Sequence, residues 1–547
     1  MPTLLPFQSF LTGQRVFIDA DFQENGIRLI PTTRDLQDFA RLWICGLESN
    51  LVASLPPATT VTLSWGDVGN PNTNNPWIDV FQAADPDGGI GYLTNAATAM
   101  LQTNAETYFY LGRVRPGEGI QLNDPQFLNG WVGTHFIWCG VSSGTGQLTL
   151  TISVGGTNTL AETSAFIQLA DIKQMYERWT VGDNPKIAPT NFPQIATEDI
   201  PSPFQYGTPT DLSTPYILFV PGWNLTLYMK DRFAETAFKR LYWQGYRGRF
   251  GSFRWPTDFN FKGNLLQFLT DIHQKENFDR SEYQAWQSGQ GLKNLLTQLH
   301  SVYGNNLYLY AVSHGNVVCG EALRLAGTNQ LVNTYVASQA ALTAHTYDSN
   351  VPNYSFNYIG VSLFPHTPNI YGDWFAGNNG GGAGRIVNFF NTNDYALQRD
   401  IWQLNQLMKP DQFVAQPDHT WNFGYSGSAG DSAPWNKFFK YYISGGVSNA
   451  FNFDIVGNLA HRYEVTAFAA ESWTTALGAT ANGATPGQLN NISLNVNLGR
   501  TTNPRIWPPD SGNYSAHFWH SGQFRGAYWQ QQGYWRELLG SEGLNLQ

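Results

Sequence analysis

Ser313 lies in the run LYLYAVSHGNVVCGEALRLAG, residues 307–327, where a hydroxyl can act as a nucleophile. An apolar stretch precedes it and a helical pattern follows it. The residues two before and two after, Ala311 and Gly315, are small. A nucleophile on a strand-to-helix turn needs that, because strand and helix crowd there and a strained backbone pushes the side chain out. A hydroxyl is a weak nucleophile until a base takes its proton, so the chemistry also needs an imidazole and a carboxylate to orient it. Downstream, RIVNFFNTNDYAL offers Asp394, which lies 81 residues beyond Ser313, and NYSAHFWHSGQF offers His517 and His520. His520 directly precedes Ser521, the cap of a C-terminal helical pattern. Asp400 and Asp454 are weaker candidates for the acid. A plain structural role is open to each residue: Ser313 and Asp394 can cap helices, and either histidine can pack on Trp519.

The elements that must position these groups follow from hydrophobic period. From Tyr216 onward, short apolar runs alternate with helical patterns: YILFV 216–220, a helix over 230–246, a strand over 249–255, a helix over 281–304, then LYLYA 307–311. Strands over 331–340 and 385–390 and helices over 461–478 and 521–539 complete the series. Repeated strand–helix alternation means βαβ units and a mostly parallel sheet. The first part of the chain differs. TVTLSW 60–65, THFIWCGV 134–141, QLTLTISV 147–154 and TSAFIQLA 163–170 read as strands, with Gly155-Gly156 as a hairpin turn. A helix is expected over 35–47. The organisation expected is a β-sandwich-like domain at 1–170, an extended connector at 171–205 and an α/β domain at 206–547. An aromatic-rich insertion at about 345–384, with glycines at 380–382, reads as a lid or pocket wall, or as a surface excursion packed on the N-terminal domain.

Composition bounds the function. The formal charge is −10, which argues against nucleic-acid or anionic-membrane partners. Charged residues are only 13% and aromatics 15%, a balance that leans extracellular or cell-surface. No run of 18 apolar residues and no signal-peptide pattern are expected to mark a transmembrane segment or leader. None of the three cysteines forms a CxxC pair, so a thiolate zinc site is not expected. Cys45 and Cys139 can pair if one domain holds both; otherwise all three are buried thiols. DADFQENG 19–26 and DPDGG 85–89 lack full calcium-loop spacing and read better as solvated turns.

Over residues 205–547 the chain resembles the α/β-hydrolase superfamily of esterases and lipases. Three places carry the resemblance: YILFVPGWN before the first helix, AVSHG at the serine, and the later order of acid and histidine. The resemblance implies an acyl-enzyme on Ser313, with Asp394 as acid and His520 as base. Backbone amides of Trp223 and His314 would form the oxyanion hole, so His314 contributes its N–H and not its ring. Pro221 stands where the family usually has histidine. No metal or organic cofactor is implied. The substrate would be a small-molecule, lipid or polymeric ester. A noncatalytic hydrolase-fold binding module, or an amidase or thioesterase on the same triad, are the alternatives.

Overall fold

The structure is a computed structural model that describes residues 36–44, 56–66, 74–85, 87–104, 110–122, 135–169, 172–181, 195–197, 213–223, 225–256, 272–342, 347, 382–391, 477–479, 492–497, 522–524 and 528–547. The N-terminal strands are β1 (Ala40–Trp43), β2 (Thr59–Trp65), β3 (Ile78–Gln82), β4 (Tyr110–Val114), β5 (Ile120–Gln121), β6 (His135–Gly140), β7 (Gly144–Val154) and β8 (Asn158–Leu169). Two short helices, α1 (Gly91–Thr94) and α2 (Ala96–Asn104), interrupt them. The strands form two four-stranded sheets, ordered β1-β6-β3-β4 and β5-β2-β7-β8, and all their pairings are antiparallel. Both sheets send residues into one hydrophobic cluster, among them Val61, Val80, Trp138 and Leu148. The β7–β8 hairpin turns on Gly155 and Gly156, whose φ of 63° and 74° suit glycine and strain other residues.

Over 36–44 the expected helix is not formed. The chain makes a 3-10 turn, Leu36–Asp38, and then β1, which pairs along its length with β6. A short apolar run does not distinguish helix from strand, and here the distant partner decides.

The second half builds an eight-stranded sheet. Its strands are β9 (Glu177–Val181), β10 (Ile195–Thr197), β11 (Tyr216–Val220), β12 (Arg249–Arg254), β13 (Leu307–Val312), β14 (Val332–Ser338), β15 (Ala383–Phe390) and β16 (Ile492–Asn497). The order is β10-β9-β12-β11-β13-β14-β15-β16, parallel throughout except for the β10–β9 pair. The segment 171–205, expected to be extended connector, therefore supplies the two strands at one edge. Its charges hid this: Glu177 of β9 pairs with Arg249 of β12 at 2.5 Å, so a polar run belongs inside the sheet.

Helices cover both faces, and the strand period explains how. These are α3 (Leu227–Trp243), α4 (Ile272–Tyr303), α5 (Gly315–Leu325) and α6 (Tyr528–Leu539). Every residue of β11, β12 and β13 is buried. Successive side chains point to opposite faces. Ile217 and Phe219 cluster with Phe233 and Phe238 of α3 and Trp535 of α6, whereas Leu218 and Val220 cluster with Leu295 of α4 and Val318 of α5. Two-sided burial is why β11 and β13 read as unbroken apolar runs.

Helix α3 starts where Thr226 caps it, its Oγ1 accepting from the Met229 amide at 3.2 Å. Charged residues on α3 are buried because the N-terminal region packs over it. Lys239 pairs with Asp38, Arg240 donates to Gln37 Oε1 at 3.1 Å, and Trp243 Nε1 donates to the Gln37 carbonyl at 3.0 Å. Of the other sequence expectations, nearly all of the lid-like stretch 345–384 and most of the helix 461–478 lie outside the described residues; Leu477–Ala479 forms a 3-10 turn.

Candidate active site

The carboxyl ends of parallel strands leave a crevice where α/β proteins bind ligands, and Ser313 stands at that end of β13. Its φ is 55°, in the left-handed region that costs a residue with a Cβ roughly 1–2 kcal/mol. Local bonds hold it there. The Ser313 amide donates to the Ser338 carbonyl of β14 at 3.2 Å. Its own carbonyl accepts from the Asn316 amide at 3.1 Å, the Ala341 amide at 3.2 Å and Asn316 Nδ2 at 2.9 Å. Helix α5 begins two residues on, so the serine sits at a helix N-terminus, where partial positive charge favours a developing anion.

The small residues are required by contact between two loops. A Cβ on Gly315 would lie 2.5 Å from the Val220 carbonyl oxygen and 2.7 Å from that of Pro221. A Cβ on Gly222 would lie 2.9 Å from the Ser313 Cβ and 3.5 Å from its Oγ. The loop from β11 to α3 therefore passes directly over the serine. Pro221 does not loosen it: the Pro221 carbonyl accepts from Trp255 Nε1 at 2.7 Å, and Lys230 Nζ donates to the Trp255 carbonyl at 2.6 Å. Trp223 on this loop and His314 beside the serine meet edge-on, with ring centroids 6.1 Å apart. His314 is fully buried and opens α5.

No family model matches the chain. No curated protein matches it either. Among solved structures, Aspergillus fumigatus lipase B aligns at 13% identity with a TM-score of 0.21, over 39% of this chain and 46% of its own. A structure from a study of two prolyl endopeptidases aligns at 10% identity with a TM-score of 0.18, over 51% of this chain and 39% of its own. The chain thus spans less than half of either neighbour. Likenesses this distant carry no weight for the chemistry, which rests on the geometry of the serine turn.

Ser313, Trp223 and His314 come together as one unit. Asp394, His520 and His517 lie outside the described residues, as do Asp400 and Asp454. In sequence, Asp394 follows the last residue of β15 by four positions, and both histidines fall between β16 and α6. Of the two acidic runs, 19–26 lies outside the described residues. In 85–89, Asp85 Oδ1 accepts from the Asp87 amide at 3.0 Å, closing a turn. Among the described residues, no three His, Cys, Asp or Glu side chains group to hold a metal ion. Cys139 and Cys319 are buried, and burial pushes the Cys319 thiol well above its ordinary value.

Residues not singled out from sequence complete the turn. Gln339, with φ of 42°, is a second strained residue at the carboxyl end of β14, and its amide donates to the Phe389 carbonyl at 2.7 Å. Tyr534 of α6 reaches under the sheet, bonded to Tyr310 at 2.7 Å and to Ser338 at 2.8 Å. Burial holds the Tyr534 phenol well above its ordinary pKa, against the downward pull of its hydrogen bonds to Ser338 and Tyr310. Nothing local in sequence marks Gln339 or Tyr534, since their partners lie on other strands.

Proposed function

We propose that the protein is a serine hydrolase that cleaves carboxylic esters through an acyl-enzyme on Ser313. The observation that carries this is the strained turn: a buried serine with φ of 55° at the carboxyl end of a central parallel strand, under a glycine loop and at a helix N-terminus. A left-handed conformation strains a residue that carries a Cβ, and strain of this kind clusters at functional sites.

In the proposed reaction, His520 takes the Ser313 proton as Oγ attacks the ester carbonyl. The tetrahedral oxyanion is held by the backbone amides of Trp223 and His314. His520 then gives the proton to the leaving alkoxide, and the alcohol departs. Water, activated by the same imidazole, attacks the acyl-enzyme and releases the acid. Asp394 fixes the imidazole tautomer and stabilises the imidazolium. The aromatic-rich segments flanking these residues in sequence suit apolar or aromatic acyl groups on a small-molecule, lipid or polymeric ester. The N-terminal sheets, proposed to stack as a sandwich, serve in packing or substrate presentation, and the weakly charged composition suits an extracellular or cell-surface setting.

Turnover of a panel of aryl esters with short and long acyl chains tests this. The wild type should hydrolyse at least one of them and Ser313→Ala none. Hydrolysis that survives Ser313→Ala would overturn the assignment of the nucleophile, and cleavage of anilides or thioesters alone would redirect the substrate class. Separate replacement of His520 and His517 should collapse turnover only at His520.

A further inference from the structure

We infer that Asn316 is a positioning residue for the nucleophile, an inference that rests on the serine-hydrolase reading above. Asn316 stands in the first turn of α5, three residues after Ser313, and is fully buried. Its Nδ2 donates to two backbone carbonyls at once, Ser313 at 2.9 Å and Ser338 at 3.2 Å. Its Oδ1 accepts from the Tyr335 hydroxyl at 2.7 Å. Val312 and Ser338 end adjacent parallel strands, and the Ser313 amide that follows bonds the Ser338 carbonyl. One amide side chain thus ties together the two strand ends on which the strained serine turns, and the Tyr335 hydroxyl fixes which way that amide faces. Two residues in left-handed conformation, Ser313 and Gln339, flank these bonds. Without the clamp, three backbone bonds alone hold the serine at φ of 55°, and its Oγ can shift relative to the base and the oxyanion donors. Displacement by about 1 Å is enough to cost on the order of 100-fold in rate. Asn316 does this without touching substrate.

The experiment is inactivation by a fluorophosphonate probe, with the limiting rate kinact and the half-saturating concentration KI measured separately, alongside thermal melting. The proteins are the wild type, Asn316→Asp, Asn316→Ser and Glu177→Gln. Asn316→Asp keeps size and loses the Nδ2 donor; Asn316→Ser replaces the amide by a shorter side chain with a single hydroxyl and buries no carboxylate. Glu177→Gln disturbs the opposite, amino-terminal end of the sheet and serves as a stability control. Expected are a kinact about 100-fold lower for Asn316→Asp and roughly 10-fold lower for Asn316→Ser, with KI within about threefold of the wild type. Glu177→Gln should melt lower and keep its kinact. If Asn316→Asp does not fold, Asn316→Ser decides alone. A wild type that labels while the Asn316 variants keep its kinact, or lose no more than Glu177→Gln, overturns the role of Asn316. A wild type that does not label overturns the hydrolase reading and this inference with it.

Discussion

Replacing Ser313 by glycine should leave the protein more stable than replacing it by alanine, and both changes should destroy its activity. The serine holds a φ of 55°, which costs a residue with a Cβ about 1–2 kcal/mol. Ser313→Ala keeps the Cβ and therefore the strain. Ser313→Gly removes it, but glycine has more freedom to lose from the unfolded chain, about 0.4–1 kcal/mol. Ser313 is only 8% exposed, so both variants lose the contacts of the hydroxyl and Ser313→Gly loses those of the Cβ as well, a loss that pulls the difference toward its lower end. The balance leaves Ser313→Gly about 0.5–1 kcal/mol more stable than Ser313→Ala. In an unfolding unit of several hundred residues that is a shift of about 1 °C in melting temperature. Replicate scanning calorimetry or denaturant midpoints followed by tryptophan fluorescence resolve such a difference. Equal stabilities, or a less stable Ser313→Gly, would mean that the serine is not strained, and the main structural ground for a nucleophile would go with it.

Further outcomes follow from the same geometry. Gly315→Ala puts a methyl 2.5 Å from the Val220 carbonyl oxygen, which must move by nearly an ångström; about 1–3 kcal/mol of stability and roughly 100-fold in ester turnover should be lost, whereas Gly66→Ala, with its nearest neighbour at 3.5 Å, should change neither. Asp38→Ala removes the buried carboxylate that pairs with Lys239 between the N-terminal region and α3 and should cost about 3–5 kcal/mol by denaturant unfolding. Burial holds the Glu235 carboxyl above its ordinary value, against the pull of Arg232 at 2.8 Å and Lys173 at 3.2 Å. Because the native state binds that proton more tightly than the unfolded chain, its stabilising contribution is full below the unfolded glutamate value, near ~4.3, and is lost as pH rises through the raised native value. The stability of the wild type relative to Glu235→Gln should therefore fall over that window; a difference that grows with pH would contradict the burial argument.

The elements nearest the serine were legible because their signals are local. A strand buried on both faces gives an unbroken run such as LYLYAV, and Gly327, with φ of 66°, stops the helix that follows. The hairpin at Gly155-Gly156 was legible for a similar reason, since two adjacent glycines permit left-handed turns. What stayed hidden depends on partners far along the chain. β9 reads as a charged connector until Arg249 and Tyr216 are seen around Glu177, with Tyr216 donating at 2.5 Å. The segment 40–43 reads as helix until β6 pairs with it. Asn316 is one of three strongly polar residues in α5, with Glu321 and Arg324, and only the approach of β14 gives it a task. Asp394 and His520 rest on their place after an apolar strand and before a helix cap and on the resemblance, and they lie outside the described residues.

The central claim is that Ser313 is the nucleophile, and a covalent adduct reads it out most directly. The intact protein is treated with a fluorophosphonate, digested and mapped by mass spectrometry, with Ser313→Ala alongside. The account predicts a single phosphonyl adduct on the peptide carrying AVSHGN, absent from the variant. No adduct on the wild type, or an adduct on another residue that persists in Ser313→Ala, would contradict it.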